Sequence, residues 1–378
     1  MRHLHYTAIV LMIMIIALAG CGGTSLSPSG TSTSQSTSSQ QATSTSITAT
    51  TQITPAQQVT LTPQSTGLQH IFFIMMENHS TNEIFGNTAD APYLNQLANT
   101  YGISTSYYGV THPSLPNYLA ALSGDFQGIW DDCPAGATVT CEPQALTSSM
   151  TSQQYASASA RTHLFHGQTL VDQLETHSMT WKAYMQSLPS PGFTGGYAGL
   201  YGEKHDPFMY FASIRDNPNR LQRIVPFTQF NQDIQAGTIP NFVWISPDVC
   251  NDMHGDTSCS SYDGLIVQGD NFIHSTIQTI MASSAWKQGS AIIITWDEND
   301  ASQSGCCHSP VGAGGTMLGG GHVPIIVISS QEPHHIILNN ASYNHYTLLA
   351  TIEYVWNLGC LANTCGLGTA NLLAPLFH

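Results

Sequence analysis

Several side chains in this 378-residue chain stand in patterns that could do chemistry. Three apolar runs end in acids and amides. His70–Met76 leads into Glu77-Asn78-His79-Ser80. Asn241–Ser246 leads into Pro247-Asp248, then Asn251-Asp252-Met253-His254. Ala291–Trp296 leads into Asp297-Glu298-Asn299-Asp300. Adjacent carboxylates such as Asp297 and Glu298 repel unless a cation neutralises them. With Glu77 and Asn78 they form an oxygen-rich set suited to Mg²⁺, Ca²⁺ or Mn²⁺, or to Zn²⁺ if a histidine joins. Taken singly, such acids are more often helix caps or solvated loop charges. The segment Thr111-His112-Pro113-Ser114-Leu115-Pro116-Asn117-Tyr118 adds a hydroxyl. Pro116 suits the first turn of a helix, which puts Ser114 at the helix mouth. Ser114 is there either a plain N-cap or, beside a metal, a nucleophile. No Gly-x-Ser-x-Gly elbow is present, which disfavours an ordinary α/β-hydrolase serine site.

The elements that position these groups read as alternating strands and helices. His70–Met76, Asn241–Ser246, Ala291–Trp296 and Val323–Ser329 are apolar without alternation, as buried strands are. Asn117–Leu122, Thr169–Met179, Asp270–Ala285 and Tyr346–Leu358 carry helical apolar spacing. The pattern predicts one α/β domain over 68–378, with a mainly parallel sheet sandwiched by helices. Ligands of such sheets bind beyond the carboxyl ends of the strands, where these acids stand. Residues 125–235 show little periodicity and are expected to form loops and small helices over the site. Gly319-Gly320-Gly321-His322 precedes a strand, and its glycines permit close backbone approach.

Charge narrows the partners. There are 8 Lys+Arg against 23 Asp+Glu, a formal net charge of −15. Charged residues are 8% of the chain, against about 25% in typical domains. Nucleic-acid and polybasic membrane-surface binding are thereby disfavoured. Fifteen of the 17 histidines lie in 68–378. A domain poor in Arg and Lys but rich in His and carboxylates suits metal or acid/base chemistry.

The N-terminus reads as an address. Arg2, His3 and His5 precede an apolar stretch, Ala8 to Leu18, and then Leu18-Ala19-Gly20-Cys21. This is a secretory signal over 1–20, and its ending resembles a lipobox that implies lipidation of Cys21. Residues 21–67 read as a flexible tether, with 24 Ser or Thr and no charge in 24–66. The expected location is the outer face of the cell membrane. The eight remaining cysteines suit disulfides in an exported domain. Cys133–Cys141, Cys250–Cys259 and Cys360–Cys365 are the obvious local pairs, and Cys306 and Cys307 are a disulfide or, with His308, a soft-metal site.

The ordered motifs resemble the phosphoesterase family of secreted acid phosphatases and bacterial phospholipases C, within the alkaline phosphatase superfamily. The matching segments are His70–Ser80, Thr111–Tyr118, Lys204-His205-Asp206-Pro207-Phe208, Asn251–His254, Thr295–Asn299, Gly321–Pro324 and His345-Tyr346. The secreted acid phosphatase branch matches best. The resemblance implies an alkaline phosphatase-like fold and metal-dependent hydrolysis of phosphate monoesters. It implies Glu77, Asn78, Asp297 and Glu298 as metal ligands, with Asp252 helping a second metal. It implies Ser114 as a nucleophile forming phosphoserine and Asn117 as a donor to a phosphoryl oxygen. It implies His112, His205, His254 and His322 as groups that neutralise phosphate oxygens or protonate the leaving alkoxide. Histidines charging in mild acid would favour an acidic pH optimum. The expected substrates are phosphorylated small molecules or lipids such as phosphoinositides. A phospholipase C-type phosphodiesterase and a non-catalytic surface lipoprotein are the alternatives.

Overall fold

The computed structural model describes residues 67–136, 141–144, 146–259, 264–299, 302–331 and 335–377. The expected signal, the tether and Cys21 lie outside the described residues. Eight described strands form one sheet: β1 (His70–Met76), β2 (Gly102–Ser104), β3 (Trp181–Met185), β4 (Ile224–Pro226), β5 (Phe242–Ser246), β6 (Ser290–Trp296), β7 (Ile325–Ser329) and β8 (Ile337–Leu338). Their order is β8-β2-β7-β6-β1-β5-β3-β4. Strands β6, β1, β5, β3 and β4 run parallel, and β7 is antiparallel to both its neighbours. Every residue of β1, β5, β6 and β7 is buried, so both faces are covered. That is why these strands carry unbroken apolar runs. Phe73 of β1 stacks on Trp244 of β5 at a centroid distance of 4.4 Å.

Helices α1 (Pro92–Thr100), α2 (Ser114–Ser123), α3 (Leu170–Thr176), α4 (Leu265–Ala282) and α5 (His345–Trp356) are among those that flank the sheet. Each of the four expected helices overlaps one of them. The 125–235 segment departs from expectation, because it supplies β3 and β4 to the sheet edge as well as loops. Lys182 interrupts the apolar run of β3, and β4 has only three residues, so neither carries a strong periodic signal.

Helix ends are set by identifiable groups. α2 stops at Gly124, whose φ is 71°, and a Cβ there would meet Leu361 O at 2.4 Å. Asn344 caps α5 by accepting from Tyr346 N and Thr347 N at 3.1 and 3.3 Å. The cysteines pair as Cys133–Cys141, Cys250–Cys259, Cys306–Cys307 and Cys360–Cys365. The second bridge closes the loop that carries Asp252 and His254.

Asp270 of α4 reaches across to the start of α1. Its Oδ1 accepts from Leu94 N at 2.8 Å and its Oδ2 from Tyr93 N at 3.1 Å. Asp270→Ala leaves a buried N–H unpaired and is expected to cost about 1–3 kcal/mol. The urea midpoint measures this, and an unchanged midpoint would refute it.

Candidate active site

Sheet register brings the acids together. Met76 pairs with Trp296, so the residues that follow, Glu77 and Asp297, leave neighbouring strands side by side. Asp297 N donates to Met76 O at 3.0 Å, and Glu77 N to Asp252 O at 2.8 Å. Asn78, held at φ 54°, turns its N–H onto Asp297 Oδ1 at 3.1 Å. Ser114, the first residue of α2, donates its hydroxyl to Glu77 Oε2 at 3.0 Å. The same hydroxyl lies 3.4 Å from Glu298 Oε1. Glu298 Oε2 is taken by His112 Nδ1, and His112 Nε2 bonds Ser302 O at 3.0 Å.

His205 sits against the other side of Glu77. Its Nε2 is 3.3 Å from Glu77 Oε1 and its Nδ1 3.0 Å from Asp252 Oδ2. These contacts lack hydrogen-bond alignment. Among the described residues, Glu77 Oε1, Asp252 Oδ2, Asp297 Oδ2 and both His205 nitrogens have no hydrogen-bond partner. Glu77, Asp252 and Asp297 are fully buried and Glu298 nearly so.

Burial dominates the electrostatics. It pushes the Glu77 carboxyl up to about 8, against the pull of the Lys204 charge and the Ser114 hydrogen bond. Burial, then the Glu77 charge, pushes Asp252 and Asp297 well above the usual range. Burial also raises Glu298, with His112 opposing. Four carboxyls this close and this dry cannot all ionise without a compensating cation. Orphaned carboxylate oxygens beside an unprotonated imidazole fit a divalent metal. Glu77, His205 and His254 each offer a ligand atom within 4.8 Å of the others. Residues able to hold a metal are therefore present, and they include histidine.

A model of the Phosphoesterase family matches residues 87–359. The chain belongs to the Phosphoesterase family. It is 28% identical over 291 residues to an acid phosphatase of Aspergillus fumigatus, covering 74% of this chain and 54% of that one. It is 28% identical over 290 residues to a phosphatidylinositol-3-phosphatase of Mycobacterium tuberculosis, covering 76% and 77%. A phosphate-repressible acid phosphatase of Penicillium chrysogenum is 25% identical over 286 residues, covering 74% and 57%. The chain thus spans little more than half the length of these fungal relatives. A solved structure of an alkaline phosphatase superfamily protein from Vibrio parahaemolyticus is 13% identical, covers 78% of this chain and 67% of that one, and superposes at a TM-score of 0.44. Membership of the family rests on the sequence match.

Within this site, Ser114, Glu77, Asp297, Glu298, Asp252, His112 and His205 come together. The other expected site residues are held by different partners. Asn78 meets the acid cluster through its backbone N–H. Asn117 accepts from Val110 N and Thr111 N at 2.7 and 3.1 Å, and donates to Thr111 O and Pro113 O at 2.7 and 3.0 Å. Its amide is spent on shaping the Ser114 loop, so it has no donor left for a phosphoryl oxygen. His322 Nε2 bonds Thr105 O at 3.0 Å, and its ring lies beside Tyr108 rather than on the acid cluster. Burial and the neighbouring Lys204 charge hold His205 well below the usual histidine value, and hold His254 down in the same way. Burial thus opposes the charging of those two rings on which the expected acidic optimum rested.

The sequence reading missed Lys204, Asp132 and Tyr118. Lys204 Nζ contacts Asp132 Oδ2 at 3.2 Å and His254 Nε2 at 3.1 Å. Asp132 Oδ1 accepts from Leu115 N, next to Ser114, at 3.0 Å. The Tyr118 ring stacks on His205 at 5.4 Å. Lys204 stood beside His205 in a quoted motif, and its rarity as a cation was the available signal. His345, whose role the sequence left open, donates from Nε2 to Asp297 O at 2.6 Å and takes the Tyr107 hydroxyl on Nδ1 at 2.8 Å.

Glu77 titrates at 4.5 in the unfolded chain and at about 8 in the fold. The folded state holds the extra proton between these values, so stability falls as pH rises through that window. Chelator-treated protein is expected to lose Tm from about pH 4.5 to about pH 8, and Glu77→Gln to flatten the slope. A Tm rising across that window would contradict the burial of these carboxyls.

Proposed function

We propose that this chain is a divalent-metal-dependent hydrolase of phosphate monoesters, working through a phosphoserine at Ser114. The observation that carries this reading is the Ser114 hydroxyl held on Glu77 Oε2 inside a buried carboxylate cluster. The relatives named as acid phosphatases support it. Glu77, Asp297, Glu298, Asp252 and His205 would hold the metal. A divalent cation bound there supplies positive charge that favours an ionised serine and offsets phosphoryl charge.

Ser114 Oγ attacks phosphorus, so an Oγ–P bond forms and the bond to the leaving oxygen breaks. The serine proton passes to Glu77 Oε2, its hydrogen-bond acceptor, and is returned to the leaving oxygen, which departs as the alcohol. Water then attacks the phosphoserine, releasing inorganic phosphate and restoring the hydroxyl. Asn117 fixes the backbone at 110–113, and His345 fixes the Asp297 carbonyl, so the reacting groups are pre-positioned. Phosphorylated polyols, including inositol headgroups, are the substrate class that the mycobacterial relative's name supports.

Export fits the four disulfides and the signal-like start, with the catalytic domain at 68–378 beyond a lipidated tether at 21–67. No described helix is long and apolar enough to cross a membrane. The lipobox-like ending at Leu18–Cys21 is what supports attachment through a lipid at Cys21.

Ser114→Ala is expected to lower phosphate release from p-nitrophenyl phosphate by at least about a thousandfold, as loss of other covalent nucleophiles does. Chelation should abolish turnover, and added Mn²⁺ or Zn²⁺ restore it. Undiminished activity in pure Ser114→Ala protein would refute the mechanism. Turnover of phosphate diesters alone would favour the phospholipase C-type reading.

A further inference from the structure

Anionic substrates need positive charge around the nonbridging phosphate oxygens. The carboxylates among the metal-ligand candidates supply none of it. Four other described cations are committed elsewhere. Lys182 pairs with Asp233, Arg215 with Glu203, and Arg220 with Asp172 and Glu175. Arg223 lies over the Trp181 ring. Lys204 alone among these side chains contacts the histidines and acids of the site.

Its placement is specific. Asp132 receives Lys204 Nζ on one oxygen and the Leu115 N–H on the other. One carboxylate thus separates the ammonium from the backbone N–H that follows Ser114. His254 Nδ1 donates to Gly255 O at 2.8 Å, which leaves its Nε2 lone pair for Lys204. An ammonium has three N–H donors, and these two partners use two of them. The Lys204 side chain is 10% exposed, whereas those of Glu77 and Asp252 are closed to solvent. The third donor has no partner among the described residues, on a side chain partly open to solvent beside the dry acid cluster.

We propose that Lys204 is a phosphate-binding catalytic residue, its free N–H donating to a nonbridging oxygen of the phosphoryl group while Asp132 positions it against Ser114. This rests on the phosphomonoesterase reading for its substrate, but not for its test. The same contact is made by the phosphate of an ester and by free inorganic phosphate.

The experiment is calorimetric binding of inorganic phosphate to metal-loaded full-length protein, with metal content measured for every variant. Lys204→Met combined with Asp132→Asn removes the cation without stranding a half-buried acid. Lys204→Gln keeps an N–H for Asp132 without the charge. Each is expected to bind phosphate about 10- to 100-fold more weakly at unchanged metal content, the loss of one charge-assisted hydrogen bond. Lys204→Arg, which retains the charge, should recover part of that affinity. Unchanged phosphate affinity in either folded uncharged variant overturns the proposal. Affinity that depends on Lys204 in a wild-type protein releasing phosphate from no ester would uphold this inference and sink the proposed function instead.

Discussion

The active end of this fold depends on negative charge buried around Glu77. Its carboxylate touches Ser114 on one oxygen and His205 on the other, with Asp297, Glu298 and Asp252 alongside. Taking carboxylates out of water costs several kcal/mol each unless something offsets it. Protonation offsets it in the metal-free protein, and a divalent cation does so in the loaded one. The sheet gives no third option. Parallel pairing of β1 with β6 ends both strands at one level, so Glu77 and Asp297 cannot separate without a register slip through the whole core.

Around that cluster, most polar side chains hold backbone. Asn117 closes the 110–113 loop, His345 fixes the Asp297 carbonyl, and Asn344 caps the helix that carries His345. The loops approach so closely that a Cβ on Gly109 would lie 2.7 Å from Asp297 O and 2.9 Å from Gly320 O. The Gly319–Gly321 run thus serves backbone contact between site loops rather than phosphate cradling. A rigid frame of this kind lets one serine hydroxyl face two carboxylates without the entropy loss of ordering them at each turnover.

The groups that end strongly apolar strands were legible from the sequence, because strand and acid are adjacent. Glu77, Asp252, Asp297 and Glu298 meet where the parallel-sheet rule puts them. Groups recruited from the 125–235 segment were not. Asp132 and Lys204 are 72 residues apart, and only tertiary folding shows that one bridges the other to Leu115. The resemblance implied His322 at the phosphate, yet its ring turns to Thr105. Asn117 sits one helical turn from Ser114, but spacing cannot show that four backbone groups have already claimed its amide. The low cation count proved informative in a sharper way than composition allowed, since it singles out Lys204 as a cation in contact with Asp132 and His254.

The central claim is that protonated, buried carboxyls give way to a metal at this cluster. Calorimetric titration of Mn²⁺ into chelator-treated protein, run near neutral pH in two buffers of different ionisation enthalpy, tests it directly. Binding should release protons from the cluster, seen as a buffer-dependent heat, because ligands must deprotonate to bind. Absence of binding, or binding with no buffer dependence, would contradict the account.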